Sequence, residues 1–434
     1  MERSASKLKT AVLHLGERHI ALGNALRAVQ DTARSLRFHL RTWRVKTQEK
    51  TVVFCAFEGR SYADSPRAIF EYMAGCGAFA DWTLIWGMAG DPSSGDQILS
   101  GGGRNPENAG PSVSVVPYGG AEWEKALSSA KYWVLNYKVK DYLKPKADQV
   151  FVQTWHGTPL KRLGYDLAHF DSPRNTAEGN ARHYGTEVKK FTYFLSPSPY
   201  ASEKFRSAWR MEAHGKGDII LEEGYPRNDM LVRPSDARVR ALRMRLFGTE
   251  EISKKVILYA PTYRQAQQET GKGYTYALPF DPAAMYEALS DEYVVLFRAH
   301  YYITDRVDFS AYEGFLYDVS GVDEVNELCL VSDLLVTDYS SVMFDYALLG
   351  QPMIFYMYDL EYYRDASNGF YFDPEEVLPG PIVRTQEALY AAVRSAQTDR
   401  AAYADRYEAF RARFCPKEDG CAAQRVVEEI FRKT

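Results

Sequence analysis

Side chains able to do chemistry recur where predicted strands end, and the first of them is a histidine. His156 follows the apolar run 149–154 by two residues, and Gly157, Thr158 and Pro159 come next. This order predicts a turn in which Thr158 caps a helix that begins at Pro159. An imidazole on such a turn suits a general base that takes a proton from an incoming hydroxyl. For one isolated histidine, a turn residue bonded to local backbone would be the better interpretation.

Two further predicted strands end in cationic groups. Arg264 comes soon after the apolar run 255–260, and its planar guanidinium can reach a phosphate. Arg298 and His300 follow the next run, and strand alternation puts both on one side if the strand persists. The plainer alternatives are a surface arginine after a proline turn and an exposed charge at a strand edge. Together these residues predict a phosphate clamp.

The fourth predicted strand end is rich in groups that bind anions. Thr337 closes the strand, Asp338, Ser340 and Ser341 follow, and a helix then runs to Gly350. Backbone N–H groups and the dipole at a helix N-terminus favour an anion, and the serine hydroxyls add two donors. Helix capping alone would explain only one serine. The four strand ends together predict a donor substrate that carries a pyrophosphate, and the sequence lacks the P-loop of ATP and GTP hydrolases.

Two series of alternating strands and helices would position these residues. We predict strands in the first series at 50–57, 82–86, 112–116, 132–136 and 149–154, and in the second at 255–260, 293–298, 334–337 and 353–358. A polar helix near 235–247 separates the two series. Helices between short apolar strands indicate parallel sheets covered on both faces, which bind ligands beyond the carboxyl ends of their strands. We therefore predict two doubly wound α/β domains that face each other across a cleft.

The first 46 residues are basic and carry an apolar stripe. They contain ten Lys or Arg and three acids, a net charge of +7 against −4 for the whole chain. Steps of three and four residues place seven apolar side chains on one helical face. These are Leu22, Leu26, Val29, Ala33, Leu36, Leu40 and Trp43. Such a helix suits an anionic membrane surface, although packing on the main body, on a partner or in a homo-oligomer gives the same pattern.

Composition excludes several other classes of protein. The 434 residues are 46% hydrophobic, which is enough for two domain cores. The net charge gives no sign of nucleic-acid binding. Five cysteines lack the spacing of a zinc site, and we expect reduced thiols. Because no apolar run reaches 18 residues, we expect no membrane-spanning segment and a peripheral protein on the cytoplasmic face of the membrane.

At the residues described above, the chain resembles the CDP-glycerol glycerophosphotransferase family, the teichoic-acid polymerases and their relatives. The resemblance covers about residues 50–430 and is specific, because many motifs occur in order. They are FEGRSYADSP at 57–66, AKYWVLN at 130–136, QTWHGTPLK at 153–161, GYPRND at 224–229, YAPTYR at 259–264, VSD through FDY at 331–346, GFYF at 369–372, PGP at 379–381 and EDG at 418–420. One departure is Tyr301, where the family commonly has proline after the second histidine.

The resemblance implies a GT-B-type fold and a division of labour between two Rossmann-like domains. A helical segment at 1–48 would precede an acceptor-side domain at 49–228 and a donor-binding domain at 229–434. The implied reaction is attack by a terminal polyol hydroxyl on the distal phosphate of a CDP-polyol, with release of CMP. No metal and no cofactor beyond this substrate are implied. The acceptor would be a lipid-linked polyol phosphate or a polysaccharide.

The family's functional residues fall on the strand ends already described. His156 is its catalytic histidine and His300 its second functional histidine. Donor phosphates would be bound by Arg264, Arg298, Thr337, Asp338, Ser340 and Ser341. Further substrate contacts would come from Gly157, Thr158, Arg227 and Asn228. A CDP-ribitol-dependent enzyme, a nucleotide-sugar glycosyltransferase of the same fold and a membrane scaffold without catalysis are the alternatives.

Overall fold

The computed structural model describes residues 20–89, 98, 110–167, 176–262, 268–269, 273–274, 278–299, 309–365 and 369–432. The predicted fold class is confirmed: two α/β domains, each built on a parallel sheet, face one another in the GT-B manner. Two of the predicted site residues, Arg264 and His300, lie outside the described residues.

Seven parallel strands form the sheet of the first domain. They are β1 (Gln48–Cys55), β2 (Thr83–Met88), β3 (Ser112–Pro117), β4 (Ala130–Leu135), β5 (Val150–Gln153), β6 (Tyr193–Leu195) and β7 (Ile220–Leu221). Their spatial order is β3-β2-β1-β4-β5-β6-β7, so the chain builds outward from β1 in both directions. The reversal of strand order beside β1 creates a crevice at the carboxyl ends, which is where such sheets bind ligands.

The second domain has a six-stranded parallel sheet. Its strands are β8 (Lys255–Ala260), β11 (Tyr293–Phe297), β12 (Leu316–Asp318), β13 (Leu334–Thr337), β14 (Met353–Tyr356) and β15 (Ile382–Val383). Between β8 and β11 the chain forms a separate antiparallel pair, β9 (Gln268–Glu269) with β10 (Gly273–Tyr274). The spatial order is β12-β11-β8-β13-β14-β15. All five residues of β11 are buried, as expected for a strand covered on both faces.

Helices cover both sheets. They are α1 (Ile20–Thr42), α2 (Asp64–Gly75), α3 (Ala121–Ser129), α4 (Ala177–Val188), α5 (Pro199–Ala208), α6 (Asp229–Val232), α7 (Asp236–Phe247), α8 (Pro282–Leu289), α9 (Val325–Leu330), α10 (Val342–Tyr346), α11 (Leu360–Asp365), α12 (Pro374–Val377), α13 (Gln386–Ser395), α14 (Ala404–Phe414) and α15 (Ala422–Phe431). The predicted helix near 235–247 is α7. Gly350, in the left-handed conformation, ends the turn that continues α10, as predicted.

The last helix packs on the first domain, although the predicted domain at 229–434 gave the whole C-terminal part to the second. Val426, Val427 and Ile430 of α15 are buried in the core of the first domain. The ring of Phe431 lies 4.7 Å from that of Tyr132 on β4. Since one fully buried apolar side chain contributes about 1.5–3 kcal/mol, this docking ties the two domains together. An amphipathic helix pattern alone does not reveal which domain the helix covers.

The N-terminal helix α1 contacts the first domain with the side that carries Phe38 and Arg41. Arg41 forms an ion pair of 3.0 Å with the buried Glu124, and the ring of Phe38 lies 6.0 Å from that of Tyr142. The described members of the apolar stripe face away from the domain, since Val29, Leu36, Leu40 and Trp43 are 67%, 59%, 64% and 61% exposed. The side chains of Leu22 and Leu26 lie outside the described residues. No helix in the described part of the chain is long and apolar enough to cross a membrane.

Candidate active site

A cavity of about 190 Å³ lies between the two domains, at the carboxyl ends of both sheets. The segments after β1 and β5 line it from the first domain, and those after β8, β11 and β13 line it from the second. Of the predicted site residues, the cavity is lined by His156, Arg227, Arg298, Ser340 and Ser341. The structure thus brings together side chains that are up to 185 positions apart in the sequence, from 156 to 341.

His156 is held in one orientation and one tautomer. Its Nδ1 donates a hydrogen bond of 2.8 Å to the carbonyl oxygen of Asn136, and its ring stacks on Trp155 at 4.2 Å. Because Nδ1 carries the proton, Nε2 of the neutral ring has the lone pair. Burial lowers the pKa of His156, and the hydrogen bond to Asn136 opposes this effect. The imidazole is therefore neutral at pH 7 and able to accept a proton.

The predicted helix after Thr158 is wrong. Residues 157–160 are irregular, and a single antiparallel bridge joins Lys161 to Phe370 of the second domain. Trp155 before them has a left-handed backbone (φ +52°), which turns the chain away from a helical path. Thr158 is buried at 3% exposure and does not line the cavity. Contacts with the other domain determine the conformation of this segment.

Gly157 lies where the two domains touch. A Cβ atom at this position would be 2.5 Å from the Ser341 hydroxyl oxygen, which is closer than real Cβ contacts allow. The carbonyl of Gly157 also accepts a hydrogen bond of 3.2 Å from the buried Tyr225 hydroxyl. The glycine therefore permits the backbone beside His156 to approach the serines of the second domain.

Arg227 bridges carboxylates of both domains beneath the cavity. It donates at 3.1 Å to Asp64 and at 3.1 and 2.7 Å to the two oxygens of Asp345. Its Nε has no hydrogen-bond partner among the described residues. Asn228 is buried away from the cavity and donates to Glu418 at 3.1 Å. Both residues were predicted as substrate contacts, and most of their polar groups are used within the protein.

Arg298 lines the cavity and holds the loop beside it. Its guanidinium donates to the carbonyl of Val322, and to that of Asp323 at 3.5 Å. Burial lowers the pKa of Arg298, and nearby carboxylates oppose this effect. The side chain thus has a fixed position with its charge beside the cavity, as a phosphate clamp requires.

The four residues at the end of β13 divide into two pairs. The Thr337 hydroxyl donates to the Ala260 carbonyl at 2.7 Å, and Asp338 accepts from the Thr262 N–H at 2.8 Å. This pair is buried and outside the cavity lining. Ser340 and Ser341 do line the cavity, and the Ser340 hydroxyl accepts from the Val342 N–H at 3.4 Å.

Sequence reasoning missed the carboxylates of the cavity. Asp64, Asp323, Glu324 and Asp345 all line it. Glu324 accepts from the Asp64 N–H at 2.6 Å, and Asp323 accepts from the Tyr62 N–H at 3.0 Å. Asp64 is a non-glycine residue with positive φ (+66°), a conformation typical of functional sites. The motif at 57–66, which contains Asp64, is the signal in the sequence that could have found it. Within the described residues, no three acidic, histidine or cysteine side chains form a group that could hold a metal ion.

Two parallel-sheet domains, with a neutral, partly buried histidine on one side of the cleft and a fixed arginine and two serines on the other, define a GT-B-type group-transfer enzyme. The family model for CDP-glycerol:poly(glycerophosphate) glycerophosphotransferase matches residues 37–432. The chain therefore belongs to this family, whose members are transferases, as predicted.

Relatives agree with this assignment over most of the chain. A teichoic acid poly(glycerol phosphate) polymerase of Staphylococcus epidermidis is 38% identical over 88% of this chain, and the match spans half of that protein. A teichoic acid glycerol-phosphate transferase of Staphylococcus aureus is 36% identical over 88% of this chain and 92% of its own length. A structure of the wall teichoic acid polymerase TagF, soaked with CDPG, has a TM-score of 0.81 and 35% identity, and covers 94% of this chain and 98% of its own. A ribitol-phosphate polymerase of Bacillus spizizenii matches only 66% of this chain, at 32% identity.

Proposed function

We propose that the protein transfers glycerol phosphate from CDP-glycerol to a terminal hydroxyl of a teichoic-acid-like polymer and releases CMP. The observation that carries this proposal is the neutral imidazole of His156, with its Nε2 lone pair beside a cavity that Arg298 and two serines line from the other domain. The glycerol-phosphate relatives match more of the chain than the ribitol-phosphate relative does, which favours CDP-glycerol over CDP-ribitol.

His156 acts as the general base in this mechanism. Nε2 takes the proton of the acceptor hydroxyl as that oxygen attacks the distal phosphorus of CDP-glycerol. A new P–O bond forms, and the bond from that phosphorus to the oxygen bridging it to the CMP phosphate breaks. CMP leaves as a phosphate of low pKa, so the departing oxygen needs no dedicated proton donor.

The second domain stabilises the charge that develops during transfer. Arg298 and the hydroxyls of Ser340 and Ser341 face the phosphates from the cavity wall, and we assign Arg264 and His300 to the same task because of their positions in the sequence. Such preorganised donors act strongly in a site from which water is excluded. Thr337 and Asp338 support this wall through backbone contacts.

The acceptor end is lipid-linked in this proposal, and α1 attaches the protein to the cytoplasmic face of the membrane. The apolar side chains of Leu36, Leu40 and Trp43 project from the domain, and the guanidinium of Arg44 lies 4.4 Å from the Trp43 ring. An apolar face bordered by arginines suits the boundary between acyl chains and anionic headgroups. Replacing Leu36 and Leu40 by glutamate should abolish flotation with anionic liposomes. Unchanged flotation would refute this membrane role.

The test of the reaction is CMP release by the purified protein with a glycerol-phosphate acceptor. CDP-glycerol should support turnover better than CDP-ribitol. Turnover only with a nucleotide sugar would favour the glycosyltransferase, and no turnover with any donor would favour the scaffold. His156→Ala should abolish turnover and leave CDP-glycerol binding within about twofold, because the base acts on the acceptor. His214→Ala, which changes a histidine outside the cavity lining, is the matched control.

A further inference from the structure

The two domains are joined along a seam that begins at the segment carrying His156. Arg162 N–H donates to the Gly369 carbonyl at 3.2 Å, and Tyr371 N–H donates to the Leu160 carbonyl at 3.0 Å. These bonds flank the bridge between Lys161 and Phe370. Residues 160–162 of the first domain and 369–371 of the second therefore form a short interdomain ribbon.

Three exposed arginines lie over aromatic rings along this seam. The guanidinium carbon of Arg162 is 5.8 Å from the centre of the Tyr371 ring, that of Arg210 is 4.2 Å from Tyr165, and that of Arg413 is 5.1 Å from Tyr200. Among the residues that the structure describes, none of these guanidinium groups has a carboxylate within ion-pair distance. None of the three therefore forms an ion pair with a described side chain.

Asp166 and Lys204 connect the three arginine–ring pairs into one row. The Tyr371 hydroxyl donates at 2.5 Å to Asp166, the residue next to Tyr165. The ammonium of Lys204 lies 5.6 Å from the Tyr371 ring and 5.5 Å from the Tyr200 ring. Lys204 pairs with its neighbour Glu203 at 2.6 Å, so it links the rings and contributes little net charge. We call Arg162, Arg210, Arg413 and the rings beneath them the arginine row.

The chemistry of the arginine row suits phosphate. A guanidinium that lies over an aromatic ring keeps the N–H donors at its edge for a ligand, and its planar fork matches two phosphate oxygens. Contact with the ring also restricts the side chain before the ligand arrives, which lowers the entropy cost of binding. Three such groups in succession fit a ligand that carries several phosphates at intervals.

The arginine row is separate from the cavity and continuous with the catalytic segment. None of its three arginines lines the cavity between the domains. The Tyr200 hydroxyl nevertheless donates at 2.9 Å to the carbonyl of Pro159, three residues after His156. A donor that occupies the cavity with its two phosphates does not need this surface. A polymeric acceptor whose terminal hydroxyl reaches His156 must leave the site along some surface nearby.

We infer that the arginine row binds phosphates already built into the acceptor polymer while its terminal hydroxyl lies at His156. This inference rests on the proposed function, because it requires an acceptor with repeating phosphates. It adds a polyanion site outside the cavity and predicts that affinity for the acceptor increases with the number of its repeats.

The test measures binding of labelled glycerol-phosphate oligomers of one and ten units by fluorescence anisotropy. The triple variant Arg162→Gln, Arg210→Gln and Arg413→Gln should bind the ten-unit oligomer about tenfold more weakly, at about twofold per exposed charge. Binding of the one-unit oligomer should be unchanged. The dependence of ten-unit binding on salt should become less steep, because fewer phosphate contacts are made. The control Arg240→Gln, Arg384→Gln and Arg394→Gln removes as many exposed charges elsewhere and should bind like the wild type.

Three results for the triple variant would overturn the inference. It could bind both oligomers more weakly by the same factor, or it could bind the ten-unit oligomer as tightly as the wild type. It could also bind phosphatidylglycerol vesicles more weakly while its binding of the oligomers does not change. The last result would assign the arginines to lipid headgroups. Unchanged melting temperatures would show that the variants are folded. The assay needs no turnover, so its failure is distinct from that of the proposed function, which is refuted by absence of CMP release.

Discussion

Replacing Arg227 by leucine should strongly destabilise the protein. The guanidinium lies between Asp64 and Asp345, at 3.1 Å from the first and 2.7 Å from the nearer oxygen of the second. All three side chains are at most 5% exposed. Leucine fills much of the volume but leaves two buried carboxylates without their cation. Breaking a buried ion pair in this way costs about 3–5 kcal/mol.

The size of this effect can be measured against a matched ion pair at the surface. Arg425 bonds Asp419 at 2.7 Å and Glu223 at 2.9 Å, but its side chain is 28% exposed. Arg425→Leu should cost about 1 kcal/mol or less, because water replaces much of the interaction. Thermal and urea unfolding should separate the two variants, with a fall in Tm of about 10 °C for Arg227→Leu at about 2–4 °C per kcal/mol.

The pH dependence of the Arg227 variant gives a second test. Burial raises the pKa of Asp345, and Arg227 is the main group that opposes this. Without the arginine the pKa of Asp345 rises further, so the folded variant retains a proton that the unfolded chain loses at about pH 4. Stability is then lost as the pH rises through the folded pKa, and the gap between variant and wild type should narrow from pH 8 to pH 5. A loss below about 1 kcal/mol, or a gap that widens toward pH 5, would refute this account of the buried cluster.

Three further predictions concern single residues of the site and its support. Because partial burial lowers the pKa of His156, the acid limb of kcat/KM should have its midpoint below about 6.5, and a midpoint above about 7 would contradict a neutral base at this position. Gly157→Ala should lower the free energy of unfolding by forcing its Cβ against Ser341, and adding Ser341→Gly should restore part of that stability; equal stabilities of the single and double variants would rule out this clash. Burial raises the pKa of Glu418 to about 8, so the wild type should lose a few kcal/mol of stability as the pH rises from about 4.5 to 8. Glu418→Gln, which can still accept from Asn228, should have a flatter stability profile by urea unfolding, and an unchanged slope would contradict this prediction.

The sequence predicts best the elements whose cause is local. The predicted strands at 255–260 and 334–337 match β8 and β13, because each is a short apolar run with polar residues at its boundaries. The end of the α10 segment at Gly350 was predicted for a similar reason, since glycine adopts the left-handed conformation there without strain. The strand ends in turn located His156, Arg298 and the two serines.

Features that depend on contacts between the domains were not predictable in this way. The segment after Thr158 has the capping pattern of a helix, but its backbone bonds with residues 369–371 of the other domain. We predicted that the hydroxyl of Thr337 binds a donor phosphate, but in the structure it donates to the Ala260 carbonyl on the neighbouring strand. The contact between Asp64 and Glu324 joins positions 260 residues apart, and no pattern in one sequence reveals it.

These contacts explain how carboxylates can lie beside the proposed pyrophosphate site. Free carboxylates would repel the donor, but Asp323 and Glu324 accept backbone N–H groups from the loop at Tyr62 and Asp64, and Asp345 is paired with Arg227. Hydrogen bonds and the buried cation offset much of their charge. The same bonds hold the loop after β1 against the second domain. The acidic side of the cavity therefore fixes the position of one domain relative to the other, and this position determines how far Nε2 of His156 lies from the donor phosphates.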